Sequence, residues 1–164
     1  MYIYLTAGTL EYLTKVAESH SDEKIVKMVN EDSALLLHET DGESVFKEPR
    51  KYTVLDSSGT IGNIGFAALL NIPVTDEGRP LFEYQFKDKI KPIKDEIGFV
   101  AIRVLRPMSS QTYVILTVWE NEHSFQSWKA SSSFQAGLNL NYEADPKQNT
   151  FASAPYVKTY SITE

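Results

Sequence analysis

The sequence predicts an α+β fold whose C-terminal part follows the split βαβ, or ferredoxin-like, plan. Three observations predict it. Apolar runs rich in β-branched and aromatic residues recur at Phe66–Leu70, Phe99–Leu105, Tyr113–Trp119 and Tyr156–Ile162, as buried strands require. Between the first two, Phe82, Phe86 and Ile90 fall four apart, on one face of a helix. After the third, Glu120-Asn121-Glu122 breaks the run, and Phe125 and Trp128 follow at helical spacing. The order is therefore strand, helix, strand, strand, helix, strand.

The N-terminal part repeats the beginning of this plan. Tyr2–Ala7 alternates as a strand, and Gly8 ends it. Thr9 can cap a helix whose stripe is Leu10, Leu13, Val16 and Ala17. Ile25–Val29 and Ala34–His38 are strands around the polar turn Asn30-Glu31-Asp32-Ser33. Glu39-Thr40-Asp41-Gly42-Glu43 reads as a solvated turn, and Lys51–Leu55 as another strand. Asp56–Asn63 holds two of the eight glycines and no periodic pattern, so it divides a half at 1–62 from a half at 63–164.

In the second half, Pro73 within the run to Val74 predicts an edge strand or a bulge. Asp76 is the expected cap of the next helix, which Arg79-Pro80 enters. Pro107–Gln111 is a hairpin turn. Asn121 caps the helix of Phe125 and Trp128. Ser131-Ser132-Ser133 can cap a short continuation carrying Phe134 and Leu138. Asn139–Pro155 reads as a polar loop before the last strand.

Composition narrows the function classes. At 164 residues, 42% apolar and 23% charged, the chain is an ordinary globular protein able to bury a core. It has no cysteine, which removes disulfides, thiolate metal sites and cysteine nucleophiles and fits a cytoplasmic setting. No apolar run is long enough to span a membrane. A net charge of −6, without interleaved lysines and arginines, argues against a nucleic-acid partner. Phosphate-loop, HExxH and GxSxG motifs are absent.

Thr117-Val118-Trp119 followed by Phe125, Trp128, Ser131 and Phe134 resembles the signature of the antibiotic-biosynthesis-monooxygenase superfamily. Leu37-His38-Glu39-Thr40-Asp41-Gly42-Glu43 and Arg103-Val104-Leu105-Arg106-Pro107 resemble its two-part Bacillus and Listeria haem-degrading members, and the related staphylococcal TRAP-type proteins. The resemblance implies an αβ barrel of the dimeric type. Because both halves share an element order, the N-terminal half is expected to act as the partner unit within one chain. That makes two βαββ units and a monomer, with a homodimer as the alternative.

The resemblance also implies a site. The tryptophan that presses on haem matches Trp128, with Phe125 beside it on the helix. The family's axial histidine falls at Leu138. Its strand asparagine falls at Leu70, with Asn71 one residue later, on the opposite face unless a bulge at Pro73 restores it. Haem iron needs an axial lone pair, which leucine lacks. Tyr142 could supply a phenolate from the polar loop. His20 and His123 read as surface residues, and His38 as a satisfied histidine at a strand end. The function implied is oxidative haem opening on a porphyrin or small aromatic ligand. The alternatives are a non-catalytic TRAP-like stress or interaction protein, and a cofactor-independent monooxygenase acting on an aromatic small molecule. Leu138 and Leu70 discriminate the non-catalytic reading from haem opening, whereas the cofactor-independent reading needs no metal ligand but calls for a general base that the sequence does not display.

Overall fold

A computed structural model describes residues 1–87, 91–132, 134 and 150–164. Ile90, Leu138, Tyr142 and the first part of the expected loop from Asn139 lie outside the described residues. The described residues form strands β1 (Tyr2–Gly8), β2 (Ile25–Val29), β3 (Ala34–Thr40), β4 (Arg50–Gly59), β5 (Gly65–Pro73), β6 (Phe99–Pro107), β7 (Thr112–Trp119) and β8 (Tyr156–Thr163). The helices are α1 (Leu10–Ser19), α2 (Arg79–Phe86) and α3 (Glu122–Lys129), with a 3₁₀ turn at Lys91–Asp95.

The strands close one antiparallel barrel in the order β1-β3-β2-β8-β5-β7-β6-β4. Read as two units, that order is β4-β1-β3-β2 and β8-β5-β7-β6, the same ferredoxin-like arrangement twice. The register repeats as well. Leu5 faces Leu37 as Leu69 faces Leu116, and Ile3 faces Tyr52 as Ala67 faces Tyr160. At the two seams, Met28 faces Ile162 as Leu105 faces Val54. The halves share no visible sequence identity, yet they obey one internal two-fold. Every described strand finds both neighbours inside the chain, which removes the open edges that otherwise invite pairing with another molecule.

Alternation sorts the side chains into two layers. Ile3, Leu5, Leu35, Leu37, Leu69, Leu105, Leu116 and Tyr160 fill the barrel from both halves. On the outside, α1 packs Leu13 against Tyr4, Leu36 and Phe46. Over the second half, α2 and α3 bury Phe82, Phe86, Phe125 and Trp128 against β5, β6 and β7. Among the described residues no helix is long and apolar enough to cross a membrane.

Several expectations are corrected. Strand β4 does not stop at Leu55. It bulges there and runs to Gly59, so the first part of the expected Asp56–Asn63 linker is strand. Gly59 has φ +75°, and a Cβ there would lie 2.0 Å from the Val100 carbonyl oxygen, so only glycine suits the close approach. Strand β5 is not an edge: it lies between β7 and β8, without a bulge at Pro73. Pro73 is its last residue, beyond the end of β8, where the missing N–H costs no ladder bond. The α2 cap is Gly78, whose N–H donates to Thr75 Oγ1 at 3.0 Å, rather than Asp76. Residues 150–152 are tied down: Thr75 N–H donates to the Thr150 carbonyl at 2.8 Å, and Ala152 N–H to the Pro73 carbonyl at 3.0 Å. Leu10, expected in the α1 stripe, is half exposed.

Candidate functional site: the Trp128 cleft

The site follows from how β7 hands over to α3. Strand β7 ends in Trp119, and Asn121, in extended backbone, accepts from Ser124 N–H at 2.9 Å. That cap starts the helix one residue later, in a register that turns Phe125 and Trp128 onto the sheet. Ser131 then donates to the Trp128 carbonyl at 2.5 Å and accepts from Phe134 N–H at 3.3 Å, as the serine run leads one to expect. The chain is thereby folded back so that Phe134 meets Trp128 edge-on, with ring centres 4.9 Å apart. The Trp119 ring centre lies 5.1 Å from that of Trp128, and the Phe125 ring centre 6.2 Å from it.

Between this aromatic group and the sheet lies a cleft lined by Ala68, Leu70, Ile115, Thr117, Phe125, Trp128, Phe134 and Val157. Three of the five expected site residues, Leu70, Phe125 and Trp128, are therefore brought together. Asn71 is not among them. With β5 in unbroken register, it shares the barrel-facing side of Ala67 and Leu69, is buried, and donates from Nδ2 to the Leu69 carbonyl at 3.0 Å. Leu138 lies outside the described residues. Phe134 was legible as part of the family signature but not as a site residue, and Val157 only as part of a strand; what joins them to Trp128 is the serine turn in one case and the pairing of β8 with β5 in the other.

The cleft is small and chemically quiet. Its free volume is about 10 Å³, about the least that one water requires. Its single polar lining side chain, Thr117, accepts from Trp119 Nε1 at 3.0 Å. None of the lining side chains can ligate iron, so the described residues do not fit a haem. Nor is there a group of three or more potential metal-binding side chains among the described residues.

The strong electrostatics lie elsewhere. On the outer face, the Glu83 carboxylate of α2 accepts from Arg106 at 2.5 and 3.0 Å and from the Tyr113 hydroxyl. Its hydrogen bond with Arg106 outweighs burial and holds Glu83 below the ordinary carboxylate range; burial and the Glu83 bond push Tyr113 up. This network clamps α2 to the sheet. Inside the barrel, Arg103 donates to Glu39 Oε2 at 2.6 Å and to the carbonyls of Ser58, Gly59 and Ile102. Glu39 also accepts from Lys24 at 2.9 Å. Glu39 was expected in a solvated turn. Strand β3 instead continues through it, and the alternation that buries Leu35 and Leu37 turns it inward.

His20 caps the end of α1 and is half-buried rather than at the surface. His123 is exposed. His38 is satisfied, by Glu23 Oε2 at 2.9 Å and Ser44 Oγ at 3.2 Å, but it is wholly buried between Tyr4 and Phe46 rather than at the surface.

Comparison with known proteins places this geometry. Residues 65–139 match the antibiotic biosynthesis monooxygenase family. The signal transduction protein TRAP of Staphylococcus epidermidis is 27% identical over 160 residues, spanning 98% of this chain and 93% of that one. A haem-degrading monooxygenase of Listeria monocytogenes is 27% identical over 129 residues, covering 79% of this chain and 77% of its own. The fold superimposes on a major regulator of staphylococcal pathogenesis with a TM-score of 0.88, at 22% identity and full coverage of both chains. The haem-degrading enzyme of Listeria monocytogenes superimposes at 0.77, with 21% identity, over 98% of this chain and 99% of that one.

Proposed function

We propose that this chain, whose residues 65–139 carry an antibiotic biosynthesis monooxygenase domain, is a non-catalytic, TRAP-like interaction protein. The observation behind the proposal is the Trp128 cleft. The cleft tryptophan is kept, but the cleft is packed shut by Phe134 and lined by side chains that cannot hold iron. The resemblance puts the asparagine and histidine of the haem-degrading family at Leu70, with Asn71 next to it, and at Leu138. The aliphatic Leu70 in the cleft, with Asn71 turned into the barrel, favours a filled core over a redox centre. The breadth of the TRAP similarity, which spans nearly the whole chain, supports the same reading.

Haemin titration tests it. The natural protein is expected to give a weak, non-saturating change in the Soret band, and no bleaching when ascorbate and oxygen are added. A saturable, shifted band that bleaches in the natural protein would overturn the proposal.

The barrel closed by one chain also supports a monomer. Light scattering at micromolar concentration is expected to return the 18.5 kDa of one chain. A stable mass of twice that value would oppose it.

A further inference from the structure

The internal two-fold brings a second recess into view, independent of the Trp128 reading. In the C-terminal half, α3 follows β7 and closes the space over Leu70. By register, Thr6 of β1 occupies the place of Leu70. The segment that follows β3, however, is not a helix. The chain crosses there as an irregular run in which Phe46 alone is buried, sealing Tyr4 and His38 beneath it. Beside that run, between Val45–Glu48 and α1, lies a recess of about 670 Å³. This is within the range of small-molecule sites, roughly 300–1,000 Å³.

Its lining has two parts. Ala7, Tyr12, Val16, Val45 and Phe46 provide an apolar and aromatic wall. Lys15 and Lys47 bring ammonium groups to the rim, beside the His20 ring and the lining carboxylate of Glu48. Lys15 meets Glu11 only at 3.5 Å in an exposed pair, which is worth little. Lys47 makes no ion pair among the described residues. With Glu11 beside Lys15, the cation of the rim that no described carboxylate meets is Lys47, set over an apolar wall in a chain of net charge −6. Such a rim attracts anions, and such a wall takes up flat apolar groups.

We infer that this recess binds a small organic anion with an aromatic body: the ring packs against Val16, Val45 and Phe46, and the acid group faces Lys15 and Lys47. The class is set by charge and shape, so aryl carboxylates, sulfonates and phosphate esters all qualify.

The probe is 8-anilinonaphthalene-1-sulfonate, titrated into the full chain by fluorescence beside its uncharged analogue N-phenyl-1-naphthylamine. The sulfonate is expected to bind at least tenfold more tightly than the neutral compound. Lys15→Glu/Lys47→Glu, two exposed changes that leave the core intact, is expected to abolish that preference while circular dichroism stays unchanged. Amide chemical shifts should move in α1 and residues 45–48. Equal binding of the two probes, an unaltered preference in the double variant, or shifts centred on α3 would each overturn the inference.

Discussion

Arg103→Ala is expected to destabilise the fold by about 3–5 kcal/mol, the usual cost of stranding one member of a buried ion pair. In a domain of this size that lowers the melting temperature by roughly 10 °C or more. The reason lies in the barrel interior. The Arg103 and Glu39 side chains are only 6% and 7% exposed. Removing the guanidinium leaves the Glu39 carboxylate with Lys24 alone and frees the carbonyls of Ser58 and Gly59. The companion variant separates charge from volume. Arg103→Met/Glu39→Leu removes both partners and is expected to recover most of the loss, because two apolar groups of similar size strand nothing. If the double variant melts as low as the single one, the pair is not the cause.

The same pair sets a pH dependence. Burial alone would raise the Glu39 pKa; the hydrogen bonds from Arg103 and Lys24 overcome it and hold the carboxyl below its ordinary value of 4.5. A carboxyl whose folded pKa is depressed contributes stability above its unfolded value and loses it as pH falls through the folded one. Melting temperature should therefore hold steady above about pH 5 and fall as the medium is acidified below the ordinary carboxylate range. Arg103→Met/Glu39→Leu should flatten part of that fall. Glu83, held low by Arg106, contributes a share with the same sign that remains in the variant.

Trp128→Ala is the second large effect, expected at about 3–5 kcal/mol from lost contacts and the cavity left behind. Trp128 touches Trp119, Phe125 and Phe134, and all four are buried. Trp128→Phe keeps an aromatic ring in place and should cost about 1–2 kcal/mol. Urea unfolding monitored by Trp119 fluorescence measures both variants. A loss below 1 kcal/mol for the alanine variant would mean that the aromatic group does not hold α3 to the sheet, and the filled-core account of the cleft would fail with it.

Much of the architecture could be read from local pattern. The runs at Phe66, Phe99 and Tyr113 are strands because β-branched and aromatic residues pack well on a pleated surface. Asn121 caps α3 because its short side chain reaches the amide three residues on. Errors arose where the deciding contact is distant or belongs to backbone rather than side chain. Asp76 has the better capping side chain, but Thr75 supplies the hydroxyl and Gly78 takes the cap. Pro73 suggested an edge because the sequence does not say where β8 ends. Glu39 looked solvated because its partner Arg103 is 64 residues away. The alternation of Ala101, Arg103 and Leu105 on the barrel side of β6 was the available signal, since it places an arginine among core residues. For the cleft, Trp128 and Phe125 were legible from helical spacing, and the serine run foretold the break before Phe134; that the break folds Phe134 edge-on against Trp128 was not legible, because it depends on tertiary packing.

The repeated register has one more consequence. In an assembly of identical subunits, each substitution is copied onto both sides of the dyad and must be tolerated twice. Here the corresponding positions are encoded independently, so each can specialise alone. Met28 and Leu105 correspond by register, as do Lys27 and Val104 beside them, yet the lysine reaches Thr14 in α1 while the valine packs beneath α2. One half could exchange its second helix for an irregular strap while the other kept it. A single polypeptide can thus support two dissimilar faces on a symmetric frame, a division of labour that a strict homodimer has no means to write.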